Sequence, residues 1–454
     1  MRKRQIYKSD RQLERQTNIL HMARRLAGRV GYDGLTMREL ADLAEVSSKT
    51  LYNLFNSKDD LLVAALEDLI GIIRRSVKDH THLNGFDYIL AIRRTGSESM
   101  ARSPGFANVI VSLFFRARPH DRIVESLVGG PRNEIVRNIE YERSRGQMHH
   151  PVDPRTLALH LLAQSWTTLL AWDKGLLSLD EIVPSEQLSY ITTLMGISSD
   201  ARRAKLRKHL GKVNYKPSLK KETATNSTPE DGSDSARRIY RSPRQMQRRA
   251  EILKAVREAI KNHGYHGMTM RALADQAGVS PKTLYNIYGS KDALLLAAVT
   301  DLLTSIKPAT PEDDGSSMFD AMLRGRDAAS RETLQNSQYA HAITQALLEA
   351  KPGEKLVEVL LATPAQRIYL QLMEEPSSVF VKDLDLKAVA QMLAFQDWGI
   401  LMLWCKGVLE LDEAIVERRR SVLMTLAGVT TGRTRETFVA GLREMEPALS
   451  AVAD

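Results

Sequence analysis

Apolar residues recur at three- and four-residue steps along most of the chain, a spacing that lays a single greasy stripe along a helix. Ile19, Met22, Ala23, Leu26, Ala27 and Val30 form one such stripe, and Ile252, Val256, Ala259 and Ile260 form another. No run of alternating apolar and polar residues bounded by turns stands out, so the pattern predicts an all-α protein with strand content near zero. Thr36, Ser47, Thr269 and Ser280 each precede a short periodic segment, where a hydroxyl can satisfy the orphan N–H groups of a first helical turn. Thr36 with Glu39 reads as a capping box, and Pro281 takes a first helical position, where its missing N–H costs nothing. Between the short helices AEVS faces AGVS. Gly278 suits a left-handed turn, whereas Glu45 would cost about 1 kcal/mol on the same backbone, so the first turn is expected to be less tight.

The chain repeats itself. At an offset of 233 residues, GYDGLTMRELADLAEVSSKTLYNLFNSKDDLLVAALEDL aligns with GYHGMTMRALADQAGVSPKTLYNIYGSKDALLLAAVTDL, with 26 identities in 39 positions. The same offset pairs FANVIVSLFFRARPHDRIVE with YAHAITQALLEAKPGEKLVE, and an offset of 232 pairs WTTLLAWDKGLLSLDE with WGILMLWCKGVLELDE. A period this long is a duplicated domain pair rather than a solenoid. The expected organisation is a first copy of the conserved repeat at 12–72, a helical domain at 73–213, a linker at 214–238, a second copy at 245–305 and a second helical domain at 306–454. The linker NYKPSLKKETATNSTPEDGSDSARR has almost no large apolar residue and reads as a flexible tether with a coil span of about 30 Å.

Composition narrows the classes. A chain of 454 residues with 43% hydrophobic content supports several packed cores, and its formal charge of +9 favours a polyanionic partner. One cysteine, Cys405, excludes an internal disulfide framework and a multi-thiolate metal site, fits a reducing cytoplasm and reads as a small buried residue. The basic amino terminus is not followed by the apolar core of an export signal, and no stretch approaches the roughly 18 apolar residues of a membrane span. His80 with His82, and His149 with His150, lack acidic or thiolate companions at ligand spacing and read as exposed loop residues. With no phosphate-binding Gly-rich loop and no G-x-S-x-G signal, the reading is not an enzyme, with no cofactor and no metal.

On the helix after Ser47, Leu51, Leu54 and Phe55 share a packing face beside Val46, while Lys49, Tyr52 and Asn53 share the opposite, outward face. Lys282, Tyr285 and Asn286 repeat that outward face unchanged, and a lysine, a phenol and an amide carry the donors that meet phosphates and base edges in a major groove. An ordinary solvated helix face is the bland alternative. The motif around it decides: both repeats follow, nearly position for position over about 60 residues, the pattern G-[YF]-x-x-[TL]-T … A-G-V-S-x-x-[TL]-L-Y-x-x-F-x-x-K-x-x-L, and so resemble the amino-terminal DNA-binding domain of the tetracycline-repressor (TetR) family.

The resemblance implies an all-α chain of two helix-turn-helix domains, each followed by a regulatory and dimerisation domain. It places Lys49 and Lys282 at the opening of the recognition helix, after Ser47 with Ser48 and Ser280 with Pro281. It sets Tyr52 and Tyr285 against the DNA backbone, and has Lys58 and Lys291 reach a flanking phosphate. Thr36 and Arg38, with Thr269 and Arg271, would meet the backbone or an edge base. Asn53 and Asn286 stand where the family varies, and Tyr288 replaces the usual Phe with little expected effect on packing. Members usually pair through two carboxy-terminal helices, putting recognition helices about 34 Å apart. Here DPRTLALHLLAQSWTTLLAWDKG and DLDLKAVAQMLAFQDWGILMLWCKG would be the pairing helices of an intramolecular pseudo-dimer. Trp166, Trp172, Trp398 and Trp404 belong either to that interface or to the core, and are buried in both cases.

The partners so implied are a double-stranded, partly palindromic DNA operator and a small-molecule effector among the later helices, with no membrane. A repressor is the leading reading, and a DNA-organising or adaptor protein without an effector is the alternative. The basic runs RKRQIYK, RRAKLRKH (202–209) and RRIYRSPRQMQRR (237–249) read mostly as solvated charge, the first and third with a further chance to touch phosphate or minor groove.

Overall fold

The computed structural model describes residues 10–149, 152–217, 243–264, 267–305 and 317–445. Most of the linker, the first basic run, His150 and the start of the third basic run lie outside the described residues. Among the described residues, regular structure is helical, and β pairing is limited to two isolated bridges, Met148 with Ser198 and Phe380 with Thr430. The chain divides into two units, Met1–Asp173 with Leu177–Leu194 and Ser198–Val213, and Asn214–Asp454 with Lys174–Leu176 and Met195–Ile197.

In the first unit a head of four helices comprises α1 (Asp10–Gly34), α2 (Met37–Leu43), α3 (Ser48–Leu54) and α4 (Lys58–His80). Its core gathers the stripes seen in the sequence: Ile19, Leu26, Leu40, Leu51, Leu61 and Leu62 are each at most 2% exposed. The body that follows is α5 (Gly85–Arg102), α6 (Pro104–Arg116), α7 (Arg122–Val124), α8 (Gly130–Ser144), α9 (Pro154–Asp173), α10 (Ile182–Ile197) and α11 (Asp200–Leu210). A π-helical turn, Glu125–Gly129, joins α7 to α8. Helix α9 is apolar around most of its circumference because nearly every face of it is buried.

The second unit repeats the order. Its head is α12 (Pro243–His263), α13 (Met270–Gln276), α14 (Pro281–Tyr288) and α15 (Lys291–Ser305). Its body is α16 (Met318–Gln335), α17 (Ser337–Glu349), α18 (Lys355–Val357), a π turn at Glu358–Ala362, α19 (Thr363–Met373), α20 (Leu386–Cys405), α21 (Leu411–Val429) and α22 (Gly432–Glu444). Both heads carry the same internal tie: Arg24 to Asp68 and Arg257 to Asp301, each at 2.8 Å, bind the first helix to the fourth.

Several sequence expectations need correction. One helix, Leu386–Cys405, is after all long and apolar enough to cross a bilayer, but 83% of its apolar window is buried, as suits a core helix. Of the four tryptophans only Trp166, at 4% exposure, is fully buried, stacked on Phe114 with ring centroids 3.7 Å apart; the other three are half-buried. Arg202 in the second basic run is not solvated charge: it is buried and paired with Glu142 at 2.8 Å and with Asp87. His80 closes α4 rather than lying in a loop, and His149 does have an acidic neighbour, Asp200, at 3.6 Å. Cys405 is buried, and burial pushes its thiol up to about 12.

Candidate nucleic-acid interface and ligand cavity

Each reading helix starts on a hydroxyl cap. Ser47 accepts from the Thr50 N–H and Ser280 from the Thr283 N–H, both at 3.1 Å. One helix earlier, Thr36 and Thr269 accept from Glu39 and Ala272 at 3.1 and 3.2 Å. The capping box is only half made, because the Glu39 carboxylate turns to Arg29 at 2.9 Å instead of back to Thr36. The expected looser first turn is also overturned. Glu45 sits at φ 53° and its counterpart Gly278 at φ 63°, so both turns use the left-handed backbone and the first bears the strain. Glu45→Gly is therefore expected to stabilise the first unit by about 1 kcal/mol, a rise of about 2–4 °C in its thermal transition. An unchanged or lower transition would show that the strain is relieved elsewhere.

With caps and turns fixed, Lys49, Tyr52 and Asn53 stand exposed on α3, and Lys282, Tyr285 and Asn286 on α14. Tyr52 and Tyr285 are 54% and 52% exposed, unusual for large aromatic side chains. Arg38 and Arg271 are exposed on the preceding helices, as are Ser48 and the caps Thr36, Ser47, Thr269 and Ser280, while Pro281 is half-buried. The packing face is smaller than its spacing implies. Leu51 and Phe55 are buried, but Leu54 is 40% exposed. The helix ends there because Phe55 is extended, at φ −137°, ψ 119°. In the second copy Gly289, at φ 76°, lets the helix continue through Tyr288, so the Phe-to-Tyr position does differ between copies.

Lys58 faces inward rather than outward. Its ammonium donates to the carbonyls of Tyr32 at 2.9 Å and Leu35 at 3.3 Å and lies 4.0 Å from the centre of the Tyr32 ring. Lys291 is half-buried at the matching place. Tyr32 is a hub that motif reading missed. Its hydroxyl donates to Asp59 at 2.7 Å, and this hydrogen bond, with burial, raises its pKa to about 12. Arg116, at the end of α6, covers the same ring at 4.7 Å, tying the head to the body.

A second tie lies nearby. At the crossing of α1 and α6, a Cβ on Gly105 would meet the Gly28 carbonyl oxygen at 2.0 Å, so the two backbones are in direct contact. In the second unit the matching positions hold Lys261, Gln338 and, for Arg116, Glu349, and all three line an open polar cleft. His341 also lines it; burial and then Lys406 lower its pKa.

In the first body, residues of α4, α5, α6, α8 and α9 line a cavity of about 150 Å³. Most of its wall is Leu, Ile, Val, Phe and Trp166. The charged groups reaching it are already paired: Arg74 with Glu134 at 2.6 Å and Arg93 with Glu186 at 2.5 Å. Tyr88 donates to Glu134 at 2.5 Å, and burial followed by this bond raises its pKa. Burial alone would lower Arg93; Glu186 more than offsets it, and the guanidinium ends raised.

The family model described as bacterial regulatory proteins, tetR family, matches residues 19–65 and again 252–298, the two heads. The chain therefore carries two tetR-family head domains in tandem. Among relatives, the HTH-type transcriptional regulator UidR of Escherichia coli is 39% identical over 51 residues, which are 11% of this chain and 26% of that protein. The HTH-type transcriptional repressor KstR of Mycobacterium tuberculosis is 45% identical over 58 residues, 13% of this chain and 26% of KstR. The match thus spans about a quarter of the length of each. A crystal structure of a TetR-family regulator from Rhodococcus sp. aligns with 39% of this chain and 97% of its own, at 21% identity and a TM-score of 0.33. Each TetR-type head is a DNA-binding helix-turn-helix, and both cap hydroxyls and outward side chains are shared between the two copies.

Proposed function

We propose that the protein is a sequence-specific transcriptional regulator, a repressor, whose two covalently linked heads read the two half-sites of a partly palindromic operator in the cytoplasm. The observation that carries this reading is the pair of capped helices presenting the same exposed Lys, Tyr and Asn, Lys49–Tyr52–Asn53 and Lys282–Tyr285–Asn286. Arg38 and Arg271, exposed one helix earlier, supply flanking phosphate contacts. Lys58 joins them only by exchanging its carbonyl acceptors for phosphate; Lys291 is assigned the same role. The domains run 12–72, 73–213, 245–305 and 306–454, with the linker 214–238 between the halves, and the bodies pair within one chain as a pseudo-dimer.

A small molecule in the body of the first unit releases the DNA. Such release requires the ligand to bind the DNA-free arrangement more tightly than the bound one. The cavity is walled by α4 and α6, and α4 is itself part of the head while α6 crosses α1 at Gly105, so a guest there acts on elements the head depends on.

Selection of bound sequences from random DNA, with the intact chain and with each reading helix disabled in turn by Lys49→Ala with Tyr52→Ala or by Lys282→Ala with Tyr285→Ala, tests the reading. The intact chain is expected to enrich two related half-sites at one fixed spacing, and each disabled chain to retain only one. Enrichment of no sequence, with dispersed occupancy of the genome, would instead make the protein a DNA-organising one.

A further inference from the structure

At the repeat offset, several residues in and around the first unit's cavity are exchanged for others in the second unit. Arg93 corresponds to Arg326 at 233 residues, while Ser165 and Glu186 correspond to Asp397 and Arg418 at 232. The acid has moved from one helix to another and an arginine has taken its old place. Arg326 pairs with Asp397 at 2.6 Å, and Arg418 approaches the same carboxylate at 3.5 Å. Arg418 also reaches Thr333 at 3.2 Å, the position that in the first unit is Met100 of the cavity wall. Arg326, Asp397 and Arg418 therefore form a three-membered charged cluster where the first unit has the single Arg93–Glu186 pair.

In the first unit the chemistry is the reverse. Glu186, 3% exposed at its side chain, is held by Arg93 and by the Ser97 hydroxyl, and Ser165 is engaged with Tyr190 at 2.8 Å. Arg74, Glu134 and Tyr88 satisfy one another at the other end. An ionised guest would lose its hydration without gaining an unpaired counter-charge, whereas a neutral apolar guest meets a wall of hydrocarbon and indole. An apolar cavity of this size holds a single aromatic ring or a short alkyl chain, on the order of six to ten heavy atoms.

We infer that each chain binds one molecule of an uncharged, predominantly apolar compound, a single ring or short chain, in the first body only. This rests on the effector reading above and adds its ligand class and stoichiometry. Gly96 lines the cavity, and a Cβ built on it meets nothing within 4 Å, so a side chain can be started there without a clash at its first carbon.

Calorimetry on the full chain with 1-heptanol and benzyl alcohol, against heptanoate, benzoate, heptylammonium and benzylammonium, tests the assignment. The neutral compounds are expected to bind at one per chain and at least tenfold more tightly than their charged counterparts. Gly96→Leu should abolish that binding and Gly96→Ala should weaken it less, while neither lowers the melting temperature, because replacing a mid-helix glycine favours the helix. Equal binding of the charged compounds, two sites per chain, no binding by either alcohol, or full binding to Gly96→Leu would overturn the inference. DNA retention is measured in the same samples. Alcohol binding that leaves the DNA complex intact keeps the cavity assignment and removes the effector reading; DNA release by a charged metabolite with no alcohol binding does the opposite.

Discussion

Gly105→Ala is expected to lower the thermal transition of the first unit by about 5–10 °C, the equivalent of about 2–3 kcal/mol. A glycine inside a helix is normally improved by alanine, so the usual sign must be overcome. It is overcome here because the new methyl would lie 2.0 Å from the Gly28 carbonyl oxygen, a backbone atom that no rotamer change can move aside. Helix α6 would have to withdraw from α1, and the Arg116 guanidinium over Tyr32 would go with it. Gly28→Ala is the informative contrast, since its methyl would approach the Phe106 nitrogen at a tolerable 3.4 Å. Gln338→Ala, at the matching place beside the open cleft of the second unit, should change stability by no more than about 0.5 kcal/mol. Differential scanning calorimetry of the three variants decides it, and a Gly105→Ala chain that melts like its parent would mean that the helices do not touch there.

Tyr52→Ala and Tyr285→Ala are each expected to weaken operator binding by about tenfold to hundredfold, with their effects multiplying in the double variant as for independent sites. Both phenols are more than half exposed and neither rests on a partner that would justify so much apolar surface in water. Their removal should therefore leave the thermal transitions within about 0.5 kcal/mol of the parent while affinity falls. Lys49→Ala and Lys282→Ala give the complementary signature if they meet phosphate: weaker binding to all sequences and a shallower dependence on salt. Fluorescence anisotropy on a selected operator over a range of salt concentrations separates the two classes. Undiminished affinity in the double tyrosine variant would remove both helices from the DNA surface.

How much of this could be read in the amino-acid order depends on the range of the interactions involved. Caps, turns and the outward faces of α3 and α14 are set by residues at most a few positions apart, so Ser47, Ser280 and the Lys–Tyr–Asn faces are visible in the sequence. Even there, competition misleads. Glu39 is drawn from its box by Arg29, ten residues earlier, and Leu54 is left out of the core because the chain straightens at Phe55. Lys58 looks outward in a motif but finds two carbonyls and an aromatic ring once α1 and α4 pack. The cavity is the least legible part, since its wall is drawn from five helices of the first unit. The clue that was available is comparative: the exchange of Ser165 and Glu186 for Asp397 and Arg418 can be seen by sliding the chain over itself, but it signals nothing until Arg93 and Arg326 are known to face those positions.

That relocated acid makes the two repeats poor spare parts for one another. Recombination that carried α9 into the place of α20 would deliver a serine to the spot where Arg326 and Arg418 now share a carboxylate, stranding two buried cations. The reciprocal graft would drop a second acid beside Glu186 with a single arginine between them. Homogenisation of the duplicated gene is thereby resisted in the bodies by electrostatics, while the heads, whose Arg24–Asp68 and Arg257–Asp301 ties are the same, remain free to exchange.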